Sequence, residues 1–180
     1  MEDQVILEKF KEAESQHYAF NQLVTKYQEK IYWLVRKMVI DHEDADDLTQ
    51  EVFIKVWQNL SSFKEQSKLY TWIYRIAVNE CLAFLKKKKR KFLLPINDVS
   101  KELTQKLTAD PYTVSGDEIA LKLQKAILTL PDKQRLVFHM KYFDEMKYSE
   151  ISAILETSVG ALKASYHLAV KKIEAFMQEN

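Results

Sequence analysis

Residues Leu69–Lys91, LYTWIYRIAVNECLAFLKKKKRK, form the stretch around which the rest of the chain is organised. The stretch contains neither Gly nor Pro, and its apolar residues recur at helical spacing, which predicts one long helix. Its first two-thirds is apolar on nearly every side, which is typical of a helix covered by several neighbours. Six consecutive basic residues then end it. The stretch therefore predicts a central, mostly buried helix with a basic end.

One side of this predicted helix carries polar and aromatic groups instead of core residues. Trp72, Arg75, Asn79 and Lys86 are separated by three, four and seven residues, so they project from the same face. An indole, a guanidinium, an amide and an ammonium in one row could stack on and pair with a nucleic-acid strand. A core helix with a solvated basic end has the same pattern, so both interpretations stay open from this stretch alone.

The composition predicts an all-α protein with two small helical domains joined by a flexible linker. The 180 residues include only two Gly and three Pro, and 47% of them are hydrophobic. Helical periodicity is strong in residues 1–91 and in residues 117–180, where it predicts four helices each. Residues 92–116 hold Pro95, the pair Asp110-Pro111 and the pair Ser115-Gly116, which marks them as the linker.

Several classes of protein are disfavoured by what the sequence lacks. The single Cys81 allows no disulfide within the chain, which suits a reducing compartment. The N-terminus is acidic, unlike a signal peptide, and no apolar run approaches about 18 residues, so we expect a cytoplasmic protein. The common catalytic and metal-binding motifs are missing. We therefore expect no catalysis, no metal, no cofactor and no small-molecule substrate.

The C-terminal segment YSEISAILETSVGALKASYHLAVKKI, residues 148–173, predicts two helices separated by about three residues. This is the spacing of a helix-turn-helix. Between Gly160 and Lys172 there are three lysines and no acid, so this face can approach a phosphate backbone. The side chains that we expect the second helix to expose are Ser158, Lys163, Ser165, Tyr166, His167, Lys171 and Lys172. An ordinary helical hairpin has the same spacing, so the pattern favours DNA binding without requiring it.

Two blocks of the sequence resemble a known family. Residues 44–90, which include DLTQEVF and TWIYRIAVN, resemble region 2 of the extracytoplasmic-function (group 4) sigma factors of the sigma-70 family. Residues 130–176, which include the helix-turn-helix, resemble region 4 of the same family. The blocks cover about half the chain and follow the family's order. The resemblance implies a subunit that gives bacterial RNA polymerase its promoter specificity.

The resemblance assigns a polymerase contact to the third predicted helix, which the periodicity places at about residues 45–60. In the family a region 2 helix docks on the clamp helices of the polymerase β′ subunit, while region 4 lies on the β flap. Asp47, Gln50 and Glu51 occupy the matching region 2 positions here. Two acids and an amide on one face suit docking to a basic partner. Acids at a helix start are also favoured by the helix dipole, which leaves a purely structural reading open.

The resemblance further implies that region 2 captures the opened −10 strand of a promoter. Phe63 and Asn79 match the loop aromatic and the helix asparagine with which the family holds one unstacked base. An unpaired base offers a ring face to Phe63 and a Watson–Crick edge to Asn79, and duplex DNA hides both. The other residues expected at this site are Trp72, Arg75, Lys86 and Lys87. Trp72 could instead belong mainly to the core.

Region 4 would place the helix that begins at Val159 in the major groove of the −35 element. This helix holds no arginine, although many members of the family carry several, so it has no bidentate fork for guanine. We expect modest −35 affinity, with readout by Lys163, Ser165, Tyr166 and His167. Glu156 stands in the turn where the family often has Gly, and a positive φ there costs about 1–2 kcal/mol.

Two further expectations concern partners. The family is commonly held inactive by an anti-sigma factor, so such a partner is expected here. The alternative function is a free-standing helix-turn-helix transcriptional regulator with a helical partner-binding domain. That alternative accounts for the C-terminal half and leaves the pattern in residues 63–91 unexplained.

Overall fold

The computed structural model describes residues 2–91, 104–107 and 118–179. Within these ranges every regular element is helical, which confirms the all-α prediction. The linker predicted at residues 92–116 lies outside the described residues except for 104–107, which form one helical turn. We refer to residues 2–91 as the N-terminal module and to residues 118–179 as the C-terminal module.

The N-terminal module contains four helices, as predicted. They are α1 (Asp3–Phe10), α2 (Gln16–Val39), α3 (His42–Asn59) and α4 (Leu69–Lys91), with a 3₁₀ turn at Leu60–Ser62. Helix α3 begins three residues earlier than expected, because the Asp41 carboxylate accepts the backbone N–H of Asp44 at 3.0 Å and caps the helix.

Helix α4 is the centre of the fold and is covered on several sides, as its composition predicts. Leu69, Ile73, Ala77 and Leu85 are buried against α2 and α3 or their neighbours. A second set of buried α4 side chains consists of Tyr74, Val78 and Cys81. Ile76 and Phe84 of the same helix are half-buried. Helix α4 therefore buries most of its circumference and leaves one ridge for polar groups.

The C-terminal module also contains four helices. They are α5 (Glu118–Leu128), α6 (Asp132–Phe138), α7 (Tyr148–Leu155) and α8 (Val159–Gln178). A π-helical turn, His139–Phe143, continues α6. Part of the module's core joins α5, α6 and α8 through Ala126, Ile127, Leu130, Phe138, Ala169 and Ile173.

The two modules pack against each other and share one hydrophobic core, which the sequence did not predict. Helix α7 lies against α4, and α6 touches α2. The C-terminal side chains that join the N-terminal core are Leu136, Val137, Met140, Met146, Ile151, Ile154 and Leu162. Because these residues are apolar, their contact with the N-terminal module stabilises one arrangement of the two modules.

A buried arginine of the C-terminal module forms a hydrogen bond with the end of α2. Arg135 on α6 is 1% exposed, and its Nη2 donates a hydrogen bond to the backbone oxygen of Met38 at 3.1 Å. The last carbonyls of a helix have no partner within that helix, and a cation is favoured there by the helix dipole. The carboxylate of Asp132 lies 3.5 Å from the same guanidinium nitrogen.

The helical turn at residues 104–107 bridges both modules. Leu107 packs in a small cluster with Ile40, which follows α2, and Leu128, which ends α5. Lys106 Nζ lies 2.7 Å from an Asp41 carboxylate oxygen. Burial opposes ionisation of Asp41, but the N–H of Asp44 and the charge of Lys106 together hold its pKa below the usual value. The turn therefore ties the start of α3 to the C-terminal module.

We expect Arg135→Ala to lower the free energy of unfolding by about 3 kcal/mol, because it leaves a cavity and an unpaired buried carbonyl at the end of α2. Urea unfolding measures the change. Lys133→Ala, two residues away on the exposed side of the same helix, should change stability by less than about 0.5 kcal/mol. Equal stability of the Arg135→Ala variant and the wild type would show that Arg135 does not fasten α2.

His139 should couple folding to pH. Burial, together with the charges of Arg135 and Lys37, lowers the pKa of His139 from 6.5 to about 3. Between these pH values the unfolded chain binds a proton that the folded chain does not, so the free energy of unfolding falls as the pH falls. We expect a loss of about 1 kcal/mol per pH unit through this window, and a shallower loss in His139→Gln. Urea unfolding at several pH values measures both slopes, and His167→Gln, on the exposed side of α8, should keep the wild-type slope.

Candidate nucleic-acid interface

Phe63 is the aromatic residue predicted in the loop. It lies against Trp72, the first residue of the α4 ridge that Trp72, Arg75 and Asn79 form. The Phe63 N–H donates to the Leu60 backbone oxygen at 3.2 Å, which closes the 3₁₀ turn and starts the loop. The Phe63 ring packs on the Trp72 ring with centroids 5.1 Å apart and planes tilted by 41°. Both side chains are half-buried. The structure thus brings Phe63 and Trp72 together at the N-terminal end of α4.

Trp72 belongs partly to the core and partly to the ridge. It packs against the buried residues of the N-terminal module and contacts Phe63 as well. A half-buried indole is held in one orientation by the core while part of its ring remains accessible. Trp72 therefore belongs in part to the core, and its contact with DNA stays a prediction.

Arg75, the third residue of the ridge, is engaged by the C-terminal module. Its Nη1 lies 2.9 Å from a Glu156 carboxylate oxygen, and its Nη2 donates to the Ala153 backbone oxygen at 2.7 Å. The Nε is buried and has no hydrogen-bond partner among the described residues. In this arrangement both terminal nitrogens of the guanidinium already have an oxygen partner in the C-terminal module. The acid that holds it, Glu156, was not expected to contact the ridge.

Asn79 remains exposed two turns beyond Trp72 on the same helix. The seven residues between them correspond to about 10 Å along the helix axis. Phe63 therefore lies at one end of this part of the α4 surface and Asn79 at the other. Between them lie Arg75 and the residues of the C-terminal module that it contacts.

The basic run at the end of α4 divides between two faces. Lys86 and Lys87 are exposed, as expected for residues that would contact a phosphate backbone. Lys88 Nζ lies 3.3 Å from an Asp44 carboxylate oxygen. Lys89 Nζ lies 2.6 Å from an Asp132 carboxylate oxygen in the C-terminal module. Successive helical residues point about 100° apart, so a continuous run of lysines cannot all face one ligand.

The predicted polymerase contact lies on the outer face of α3. Asp47, Gln50 and Glu51 are all exposed, at a spacing that places them on one side of the helix. Ile54 follows on the same side and is 55% exposed. Leu48 and the other apolar residues of α3 point to the core. This face is therefore a polar patch with one accessible apolar side chain.

The turn between α7 and α8 has the backbone conformation that the sequence suggested. Glu156 ends α7 with φ 52° and ψ 39°, which confirms the expected positive φ. Ser158 caps α8, since its hydroxyl oxygen accepts the Ala161 N–H at 3.3 Å. Helices α7 and α8 thus form the predicted helix-turn-helix geometry of two short-linked helices.

The side chains of α8 that were expected to meet DNA fall into two groups. Lys163, His167 and Lys171 are exposed. Ser165 and Tyr166 are half-buried, and the Tyr166 ring stacks on Phe138 with centroids 5.8 Å apart and planes at 15°. Burial raises the pKa of Tyr166. Tyr166 therefore faces the core of its own module more than the open surface.

Neither a metal-binding cluster nor a membrane-spanning helix is found in the part of the chain that the structure describes. Among residues 2–91, 104–107 and 118–179, no group of three or more His, Cys, Asp or Glu side chains could hold a metal ion. No helix within these ranges is long and apolar enough to cross a membrane.

Two family models match the chain. A model described as Sigma-70 region 2 matches residues 23–91, which contain α3, the loop and α4. A model described as Sigma-70, region 4 matches residues 120–173, which contain α7 and most of α8. A free-standing helix-turn-helix regulator would account for the second match only.

Curated relatives are similar over most of their length. The chain is 36% identical over 156 residues to the ECF RNA polymerase sigma factor SigW of Bacillus subtilis, covering 83% of each chain. It is 31% identical over 185 residues to the ECF RNA polymerase sigma-E factor of Escherichia coli K12, covering 98% of this chain and 94% of the relative. It is 30% identical over 186 residues to the RNA polymerase sigma-H factor of Pseudomonas aeruginosa, with the same coverage.

Two solved structures share the fold. CnrH in complex with the cytosolic domain of CnrY has a TM-score of 0.69 and 20% identity, covering 97% of this chain and 96% of that one. The sigma factor RpoE of Bartonella quintana, in complex with the anti-sigma factor NepR, has a TM-score of 0.66 and 19% identity, covering 89% and 98%. At these identities the likeness concerns the fold alone.

Both sigma regions are present in the family's order, and relatives above 30% identity extend over nearly the whole chain. Sigma factors are transcription initiation factors and not enzymes, and RNA polymerase is their partner. The chain belongs to the extracytoplasmic-function (ECF) sigma factors of bacterial RNA polymerase.

Proposed function

We propose that this sigma factor selects promoters by capturing unstacked −10 bases with its N-terminal module and docking on the −35 element with its C-terminal module. The observation that carries the proposal is the pairing of Phe63 with Trp72 at one end of α4, with Asn79 exposed two turns further along. Rings supply a sequence-tolerant stacking surface, and an exposed amide supplies hydrogen bonds to a base edge. The α4 surface therefore has the chemistry to hold a separated base.

The energies explain why such a subunit works with a polymerase. Stacking contributes about 1–3 kcal/mol per base, whereas opening the duplex costs about 1.4 kcal/mol per step. A few captured bases can trap a bubble that already exists, but two aromatic rings cannot open a full −10 element. The chain acts in the cytoplasm on a bubble that the assembled polymerase stabilises.

The polymerase would bind the outer face of α3. Asp47, Gln50 and Glu51 are exposed together and suit the basic surface of the β′ clamp helices, while the C-terminal module would lie on the β flap. Ile54 adds an apolar contact at the edge of this patch. An anti-sigma factor is a further proposed partner, since the complexes of CnrH with CnrY and of RpoE with NepR share this fold.

The −35 contact would rely on point charges more than on bidentate hydrogen bonds. Lys163, His167 and Lys171 are exposed on α8, and Ser158 stands at its start. The only arginine in residues 118–179 is Arg135, which is buried. Without an available guanidinium, guanine cannot be read by the commonest bidentate pairing. Ser165 and Tyr166 complete the proposed site, and Tyr166 would have to leave Phe138 to reach a base.

The test of strand capture is transcription reconstituted from core polymerase and this chain. We expect Asn79→Ala to lower transcription from a duplex promoter about 5- to 30-fold, because one or two hydrogen bonds to the base are lost, while binding to core polymerase is unchanged. Asn21→Ala, which removes an exposed asparagine from α2, should transcribe like the wild type. Equal transcription from Asn79→Ala and the wild type would contradict strand capture at this residue.

The test of polymerase docking uses a charge reversal on α3. We expect Glu51→Lys to weaken binding to core polymerase about 10-fold or more, because a cation would then face the basic surface of the clamp. Competition between labelled wild-type and unlabelled variant sigma factor for core polymerase measures the change. Glu29→Lys is the matched control, since Glu29 is an exposed acid of α2, outside the docking face. An equal loss for both variants would point to net charge instead of the docking face.

A further inference from the structure

The outer surface of α8 carries a row of apolar residues that do not belong to the core. The row consists of Gly160, Ala164 and Leu168, which follow one another at intervals of four residues along one side of the helix. All three residues are exposed, and Leu168 is 49% exposed. Leu162 and Ala169 are buried on another side of the helix, against the core. The apolar row therefore faces away from the protein.

The surroundings of the apolar row are cationic. Lys163, His167 and Lys171 form the adjacent row, again at intervals of four residues, and all three are exposed. Lys172 continues the apolar row by one further turn. No acid occurs between Gly160 and Lys172. A single exposed leucine needs no explanation by itself, but a complementary partner of this surface combines negative charge with apolar groups.

An aromatic ring holds two ammonium groups beside α8. The Nζ of Lys163 lies 5.9 Å from the centroid of the Tyr148 ring, and the Nζ of Lys141 lies 5.2 Å from the same centroid. A cation within about 6 Å of an aromatic face is attracted by the ring. Tyr148 begins α7, and Lys141 lies in the π-helical turn that follows α6. Three elements therefore form one cationic edge, which favours a phosphate at this side of the apolar row.

The first residue of the apolar row is a glycine that packing does not require. A methyl group added at Gly160 would meet no neighbouring element and no other side chain of the described residues within 4 Å. Glycine lowers helix stability relative to alanine. Its lack of a side chain does leave room for a ligand to approach the backbone closely. The surface beside Gly160 is therefore open to a partner.

Duplex DNA has both properties that this surface calls for. Phosphates line the edges of the major groove, and each thymine presents a C5-methyl group inside the groove. The other three bases present no methyl group there, and apolar side chains pack on that of thymine. Helix α8 is the second helix of the helix-turn-helix, which is the one that enters the major groove in such motifs.

We propose that Ala164 and Leu168 recognise thymines of the −35 element through their C5-methyl groups, while Lys163 and Lys171 hold the flanking phosphates. The helix then selects thymine at the base pairs that face the apolar row, and it has no requirement for guanine. This inference rests on the proposed function, because it needs α8 to lie in the major groove of the −35 element.

The expected discrimination is small for each base. Burial of one methyl group corresponds to about a fourfold change in affinity. A bidentate pair between arginine and guanine corresponds to roughly 5- to 150-fold. Methyl recognition therefore lets a helix without an available guanidinium select a sequence, and it agrees with a modest −35 affinity.

The first experiment identifies the bases that α8 selects. Core polymerase carrying the full-length chain selects duplexes from a library that is randomised over the −10 and −35 windows. We expect thymine to be enriched in the −35 window. Leu168→Arg supplies a guanidinium, so guanine should replace thymine at the position that this residue contacts. The same −35 sequence from the wild type and Leu168→Arg would overturn the proposal.

The second experiment removes only the methyl group. Deoxyuridine replaces the thymine that Leu168→Arg exchanges, which keeps the base pair and deletes the C5-methyl group. Competition against a labelled duplex measures binding of the polymerase that carries each chain. We expect the wild type to bind the deoxyuridine duplex about fourfold more weakly, and Leu168→Ala to bind both duplexes equally. Alanine favours the helix at least as well as leucine, so α8 is kept in this variant.

The matched control is Ile119→Ala, which removes a 72% exposed aliphatic side chain from α5 of the same module. It should keep the fourfold difference of the wild type.

Three results would contradict these expectations in different ways. Equal binding of the wild type to both duplexes would overturn methyl recognition and leave docking on the −35 element standing. A loss in Leu168→Ala that is the same on both duplexes would also overturn it, and would assign Leu168 to a protein partner. No selected sequence in the −35 window would overturn the proposed docking of the C-terminal module itself.

Discussion

Helix α4 has to bury apolar side chains on most of its circumference and still present one polar ridge, and the rest of the structure follows from this requirement. Helices α2 and α3 cover two of its sides, and α7 of the C-terminal module lies on another. The burial fixes the orientation of Trp72, and Trp72 in turn supports the Phe63 ring. The proposed capture of a flexible single strand would benefit from such rigid support, because any freedom in the side chains is lost on binding.

The cations of α4 can serve two kinds of partner, since carboxylates and phosphates are both anionic oxygen ligands. In this structure Arg75 and Lys89 are paired with acids of the C-terminal module, while Lys86 and Lys87 remain at the surface. Partly exposed ion pairs contribute little individually, which keeps such an arrangement reversible. The acidic face of α3 is outside the contact.

The two modules differ in how sharply they could read DNA. The N-terminal module combines an aromatic pair with an exposed amide, and in the proposed function these groups would distinguish one unstacked base from another. The C-terminal module exposes lysines and a histidine. The single arginine in its described part, Arg135, is buried and bonded to the end of α2. Lysine approaches phosphate as a point charge and carries little base specificity. We therefore expect most of the base specificity of this sigma factor to come from the N-terminal module at the −10 element.

The sequence by itself determined the local features. The bounds of α4 and the spacing of α7 and α8 each follow from residues within a few positions of one another, where helical periodicity and turn chemistry act. The positive φ at Glu156 was expected from the family resemblance. The shared ridge of Trp72, Arg75 and Asn79 follows in the same way. Only the tertiary structure decided what the ridge contacts. Arg75 and the Ala153 oxygen that it binds are 78 residues apart, and no local pattern records which acid a distant cation will meet. Such a pairing depends on how two apolar surfaces fit, which is a property of the assembled modules and not of either segment.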